Sequence, residues 1–190
     1  MKVFSKLLVF PLTLAAMMVA SCNDDDNKSV LEEYGEWRKT NMAFYEDQKS
    51  VTDGGVTPIY TVVSPSWNPG AQILIRYLSN RSASIDNLSP MLNSTCSVKY
   101  IGRLYNGEAF DSSYNYVDSV AQFMPNGVIQ GWTIALMNMR VGDSARVVIP
   151  YEQAYGSAGR SSGGKYVVPP YSTLVFDMKL VDIPYYEVRP

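Results

Sequence analysis

Of the 190 residues, none is His. Without imidazole the chain cannot run Ser-His-Asp or Cys-His nucleophilic catalysis, and it lacks the ligand on which most zinc and iron sites depend. What it has in quantity is aromatic surface, with 14 Tyr, 6 Phe and 3 Trp. Taken singly, Tyr100, Phe110, Trp132 and Phe176 read as core aromatics, and Tyr155-Gly156 reads as a loop. Asp111, followed by Ser112 and Ser113, reads as a turn or cap residue. Any chemistry must therefore come from how such groups are assembled, not from one reactive side chain. A formal charge of -2 and the lack of a basic cluster argue against nucleic acid as a partner.

The elements that must position these residues come after an address. Met1 to Lys6 is basic, Leu7 to Ala20 is apolar, and the apolar run is too short for a spanning helix, so residues 1–21 are expected to be a cleaved signal peptide. The segment ends Val19-Ala20-Ser21-Cys22, which resembles the lipobox of bacterial lipoproteins and implies lipidation of Cys22. The acidic run Asn23 to Asn27 reads as a solvated tether, and it also resembles the surface-export tag of some Gram-negative lipoproteins. The expected location is outside the cytoplasm, anchored by lipid to the outer membrane, on its periplasmic or cell-surface side. With Cys22 lipidated, Cys96 has no partner and is expected to be a small buried apolar residue.

Residues 22–55 form the tether and a helix predicted over Ser29 to Lys49, with Val30, Tyr34, Trp37, Phe44 and Tyr45 on one face. Gly35 and Asn41 interrupt that face. Its expected use is packing in cis, with a weak homodimer contact as the second option. After Asp53-Gly54-Gly55 the texture changes to short alternating strands, so residues 56–190 read as one domain. Strands are predicted at Ile59 to Val63, Ile73 to Leu78, Thr95 to Leu104, Ala145 to Ile149 and Leu174 to Leu180, with a loop from Asn80 to Asn93. One helix interrupts them: Trp132, Ala135, Leu136 and Met139 share a face, ending at Val141-Gly142-Asp143. The expected fold class is α+β, a curved antiparallel sheet wrapped around one short helix and preceded by the N-terminal helix.

With these elements placed, an ordered set of motifs appears. Tyr100-Ile101-Gly102-Arg103-Leu104, Asn106-Gly107 and Phe110-Asp111-Ser112-Ser113 are followed by Gly127-Val128-Ile129-Gln130-Gly131-Trp132. Then come Val141-Gly142-Asp143, Ile149-Pro150, Ala154-Tyr155-Gly156, Pro169-Pro170 and Thr173 to Asp177. This series resembles the signature of FKBP-type peptidyl-prolyl cis-trans isomerases, over about half the chain. The resemblance implies catalysis of Xaa-Pro isomerisation on proline-containing polypeptides, assisting the folding of exported proteins, with neither metal nor cofactor. It implies Trp132 as the pocket floor, Tyr100, Phe110 and Phe176 as walls, the Ile129 N–H and the Tyr155 hydroxyl as donors to substrate carbonyls, and Asp111 as the group that polarises the site. It also implies substrate contacts from Val128, Ala121, Phe123, Val167 and Val168.

Three features depart from the family's pattern. Ala121 stands where many members have an aromatic wall. Tyr116 replaces a common Arg that pairs with the Asp matched by Asp111. The stretch Gly159 to Pro169 is long and rich in Gly and Ser, which predicts a flexible loop. These departures keep open an alternative from another class, a non-catalytic binding or chaperone module that uses the same groove.

Overall fold

Strand β3 (Thr95–Leu104) is the spine of the sheet, and its alternation explains why. Cys96, Val98, Tyr100 and Leu104 are buried on one side, and in β9 (Leu174–Tyr185) Leu174, Phe176, Met178 and Leu180 are buried on the same side. The two strands pair antiparallel from Leu104↔Leu174 to Thr95↔Tyr185, which brings both apolar rows together. In this computed structural model, which describes residues 29–186, β1 (Thr61–Val63), β2 (Ile73–Tyr77) and β6 (Ser144–Ile149) extend the sheet beyond β9. On the other side β3 pairs β4 (Ala109–Ser112) and, nearer its start, β5 (Ala121–Phe123). The seven-stranded order is β1-β2-β6-β9-β3-β4 with β5 also on β3. Residues 1–21, expected to be a signal peptide, Cys22 and the acidic run lie outside the described residues.

The apolar face of this sheet is covered by the domain's helix, Gln130–Asn138. Trp132, Ala135, Leu136 and Met139 are buried as the spacing predicts, and Ile134 is buried as well, so the helix is enclosed on more than one stripe. Gly131 is needed because a Cβ there would run into the Ile149 side chain of β6. The Asn80 to Asn93 stretch is a loop with a 3-10 turn at Arg81–Ser84. It is tied down by fully buried Asp143, whose carboxylate accepts from Ser84 Oγ at 2.5 Å and the Arg140 N–H at 3.0 Å and pairs with Arg81.

The N-terminal helix is split in two. Its first turn, α1 (Val30–Glu33), carries a Ser29/Glu32 capping box, and after Tyr34 the chain continues as α2 (Gly35–Gln48). Numbered after these, the domain's helix is α3. Helix α2 docks in cis on the other face of the sheet, where Tyr45 packs with Tyr60, Leu74 and Val148. Leu74 and Val148 alternate with Ile73, Ile75, Val147 and Ile149 of the main core, which fixes the two sides. Asn41, expected to interrupt the docking face, is fully buried at its centre. Its amide oxygen accepts the Thr173 N–H at 2.7 Å and its nitrogen donates to the Trp37 carbonyl, so the polar group is satisfied. Val30, expected on that face, is instead exposed.

The stretch from Gly159 to Pro169 is an ordered hairpin, not the loop its composition predicts. Strand β7 (Arg160–Ser162) pairs β8 (Lys165–Val168) across Gly163-Gly164, which take φ of 59° and 76°. Positive φ at both central residues is the two-residue hairpin turn whose twist matches its strands, and glycine enters it without strain.

Candidate active site

Where α3 starts, the sheet and the helix leave a pocket of about 310 Å³. Its floor is the Trp132 ring, which meets Tyr100, Phe123 and Phe176 edge to face at centroid distances of 5.0, 5.2 and 5.2 Å. Phe110 stands against Phe176 at 5.7 Å and completes that wall. Each ring is held at a fixed angle by its neighbours, so the pocket's shape is set before anything enters it. Strand geometry supplies the crossing. Gly102 of β3 lies between Phe110 and Phe176, and a Cβ there would come within 2.8 Å of Phe110 Cζ and 2.7 Å of Phe176 Cε1. Only a residue without a side chain lets both rings reach the pocket.

The polar groups sit at the rim. Ile129 is the N-cap of α3, where helix geometry leaves N–H groups without partners, and Val128 and Gly127 precede it along the same edge. Tyr155 follows the 3-10 turn Tyr151–Gln153 and lines the opposite side. Asp111 accepts the Ser112 N–H at 2.9 Å with one oxygen and Arg160 Nη1 at 3.3 Å with the other. Burial, reinforced by the nearby Asp111 carboxylate, raises the Tyr100 hydroxyl well above its ordinary range, so it stays protonated. Burial acts to lower the Arg160 pKa, but Tyr155 and Asp111 outweigh it and the guanidinium is held charged, with its carbon 5.9 Å from the Tyr155 ring centroid.

Of the residues expected at the site, Tyr100, Phe110, Asp111, Phe123, Val128, Ile129, Trp132, Tyr155 and Phe176 all line this one pocket. Three do not. Ala121 is buried in the main core, paired with Val98. Val167 and Val168 belong to β8, where Val168 drops into the core and Val167 is half-buried. The hairpin changes which of its residues reaches the pocket, because pairing across Gly163-Gly164 folds β8 back and presents Arg160, at the start of β7, to Asp111. Arg160 and Gly127 were not anticipated. Gly127 stands inside a quoted motif, whereas Arg160 is 49 positions from Asp111 and nothing local marks it. Tyr116, at the position of the expected cation, is largely exposed, and the cation is supplied by the hairpin instead.

An antiparallel sheet packed on one helix, with an aromatic pocket at the helix start and hydrogen-bonding groups beside it, has the shape and chemistry to take an apolar ring flanked by polar groups. The model of the FKBP-type peptidyl-prolyl cis-trans isomerase family matches residues 87–181, and the chain belongs to that family. It is 46% identical over 95 residues to the macrophage infectivity potentiator of Trypanosoma cruzi, an alignment spanning 50% of this chain and 46% of that protein. It is 42% identical over 95 residues to the FKBP-type isomerase FkpA of Escherichia coli, spanning 50% of this chain and 33% of that one. These matches thus cover less than half the length of either relative. Among solved structures, a peptidyl-prolyl cis-trans isomerase from Pseudomonas syringae superposes with a TM-score of 0.61 at 29% identity, covering 78% of this chain and 94% of that one. FkpA of Escherichia coli superposes with a TM-score of 0.60 at 28% identity, covering 82% and 64%.

Proposed function

We propose that this chain is a peptidyl-prolyl cis-trans isomerase acting on proline-containing segments of exported polypeptides. The observation that carries the reading is the closed set of edge-to-face rings around Trp132, with hydrogen-bonding groups confined to the rim. Rotation about an Xaa-Pro bond faces a barrier of roughly 18–20 kcal/mol because the twisted state loses amide resonance. Water favours the planar, charge-separated amide, so an apolar pocket disfavours the ground state relative to the twist. The proline ring sits on Trp132 between Phe110, Phe176 and Tyr100, and the preceding carbonyl turns while its neighbours are held. The Ile129 N–H and the Tyr155 hydroxyl take the flanking carbonyls, and the Asp111–Arg160 pair fixes the electrostatics beside Tyr100. A thousandfold acceleration needs only about 4 kcal/mol, within reach of desolvation plus one hydrogen bond made chiefly to the twisted amide. No side chain has to gain or lose a proton.

The test is the rate of cis-to-trans conversion in short Xaa-Pro peptides. Phe110→Ala and Asp111→Ala are expected to remove most of the acceleration with the fold intact. A wild-type rate equal to the uncatalysed one, with peptide still bound, would leave the binding module as the function. The lipobox supports attachment to the outer membrane through Cys22, and Cys22→Ser should move the protein from the membrane to the soluble fraction. A weak contact between two copies through the N-terminal helix would fall on what docking leaves outward, Val30, Leu31 and Met42, and sedimentation at rising concentration reads it.

A further inference from the structure

The segment between β6 and β9 brings Tyr155 and Arg160 to the pocket, yet no strand pairing joins its hairpin to the main sheet: β7 and β8 pair only with each other, and Val168 ties β8 to the core by packing alone. Among the described residues, side-chain hydrogen bonds linking residues 151–173 to other elements go to Asp111 on the pocket side and to α2 on the other. Helix α2 grips both ends. The Arg38 guanidinium donates to the Tyr151 hydroxyl at 3.2 Å and lies 5.7 and 5.4 Å from the ring centroids of Tyr151 and Tyr171, which meet edge to face. The Trp37 indole N–H donates to Ser172 Oγ at 3.1 Å, and that hydroxyl donates to the Pro169 carbonyl. Asn41 takes the Thr173 N–H, and Thr173 Oγ1 donates back to the Asn41 carbonyl at 3.0 Å. Just before α2, the Tyr34 ring meets Tyr166 of β8 at 5.8 Å. Within the grip Tyr171 holds a left-handed φ of 59°, and its N–H closes on the Gly156 carbonyl beside Tyr155. A non-glycine residue keeps that conformation only where its surroundings impose it.

We propose that α2 is a positioning element of the pocket: through Trp37, Arg38 and Asn41 it clasps the segment that delivers Tyr155 and Arg160, and so sets the activity of a site it does not touch. The inference rests on the isomerase reading of that pocket. Releasing the clasp lets the segment open locally while the sheet stays closed, and a wall displaced by about 1 Å can cost tenfold or more in turnover.

The purified protein and its Arg38→Ala, Arg38→Lys and Trp37→Phe variants are compared by amide hydrogen exchange and by kcat/KM on an Xaa-Pro peptide. In Arg38→Ala, exchange at residues 154–171 is expected to quicken about tenfold with β3 and β9 unchanged, and kcat/KM to fall about tenfold. Arg38→Lys keeps a cation over the rings and should recover most of both, and Trp37→Phe should show a smaller version of the same pattern. Unchanged exchange at 154–171, unchanged kcat/KM, or a quickening shared by every strand would each overturn the proposal. Should the wild type not accelerate isomerisation, the isomerase reading fails by itself. The affinity of the same peptide then takes the place of kcat/KM: a fall in Arg38→Ala upholds the clasp, and an unchanged value refutes it.

Discussion

Gly102→Ala inserts one methyl group where β3 passes under two walls of the pocket. The new Cβ would stand 2.7 Å from Phe176 Cε1 and 2.8 Å from Phe110 Cζ, whereas carbons settle at about 3.5–4.0 Å, so each ring edge must retreat by roughly 1 Å. Phe176 has little room to yield, since it is buried and braced by Trp132, Tyr100 and Phe110. Phe110 is only half-buried and is the ring expected to swing into the pocket. Overpacking of this kind destabilises by about 1–3 kcal/mol. A wall shifted by that distance should lower kcat/KM by at least about tenfold. Urea unfolding followed by tryptophan fluorescence gives the first quantity, and the Xaa-Pro peptide assay gives the second. Combining Gly102→Ala with Phe110→Leu removes the Cζ contact and leaves the one to Phe176, so only part of the lost stability should return while activity stays low. A Gly102→Ala protein with unchanged stability and full activity would refute the claim that this glycine shapes the site.

Other expectations follow from the buried groups. Asp143→Ala removes a fully buried acceptor of Ser84 and the Arg140 N–H and should destabilise by about 2–4 kcal/mol in urea unfolding, loosening the Asn80 to Asn93 loop first. Asp177 accepts from Arg146 at 2.6 and 2.8 Å and from Arg103 at 2.8 Å, and these bonds, Arg146 foremost, hold its carboxyl below the usual value. A folded-state pKa below the unfolded one gives stability that is present at neutral pH and lost as the pH falls below about 4. Asp177→Asn should therefore flatten that acid slope, with about 1 kcal/mol lost at pH 7 because the arginines are partly exposed. With Cys22→Ser leaving one thiol, burial pushes Cys96 up to about 11, so it should resist a disulfide reagent at pH 8 in the folded protein and react at once in urea.

Of the strands that position the site, β3 and β9 were legible because each carries its own period, whereas β4 and β5, which bear Phe110, Asp111 and Phe123, are four and three residues long, too short to show one, and were not predicted. Thr95 to Leu104 alternates clearly enough, through Cys96, Val98, Tyr100 and Leu104, that its bounds coincide with β3, and the spacing of Trp132, Ala135, Leu136 and Met139 marks α3 to within a residue or two. The hairpin was misread because its composition, Gly and Ser between short polar strands, is shared by mobile loops. Its order comes from a turn that two adjacent glycines make easy and from contacts at both ends. Asn41 was misread for a related reason: a polar residue breaks an apolar stripe in sequence, but a buried partner such as the Thr173 N–H makes it the best residue for that place.

The sequence by itself determined the longer strands of the sheet, the helices before and within it, the family's ordered motifs, and the exclusion of imidazole chemistry. All of these depend on residue type and on spacings within a few turns of chain. Only the tertiary structure decided that Arg160 pairs with Asp111, that Ala121, Val167 and Val168 do not line the pocket, and that α2 grips the segment bearing Tyr155. These are contacts between residues tens to more than a hundred positions apart, and which partner a side chain meets at that range is set by how the sheet closes, which no local period records.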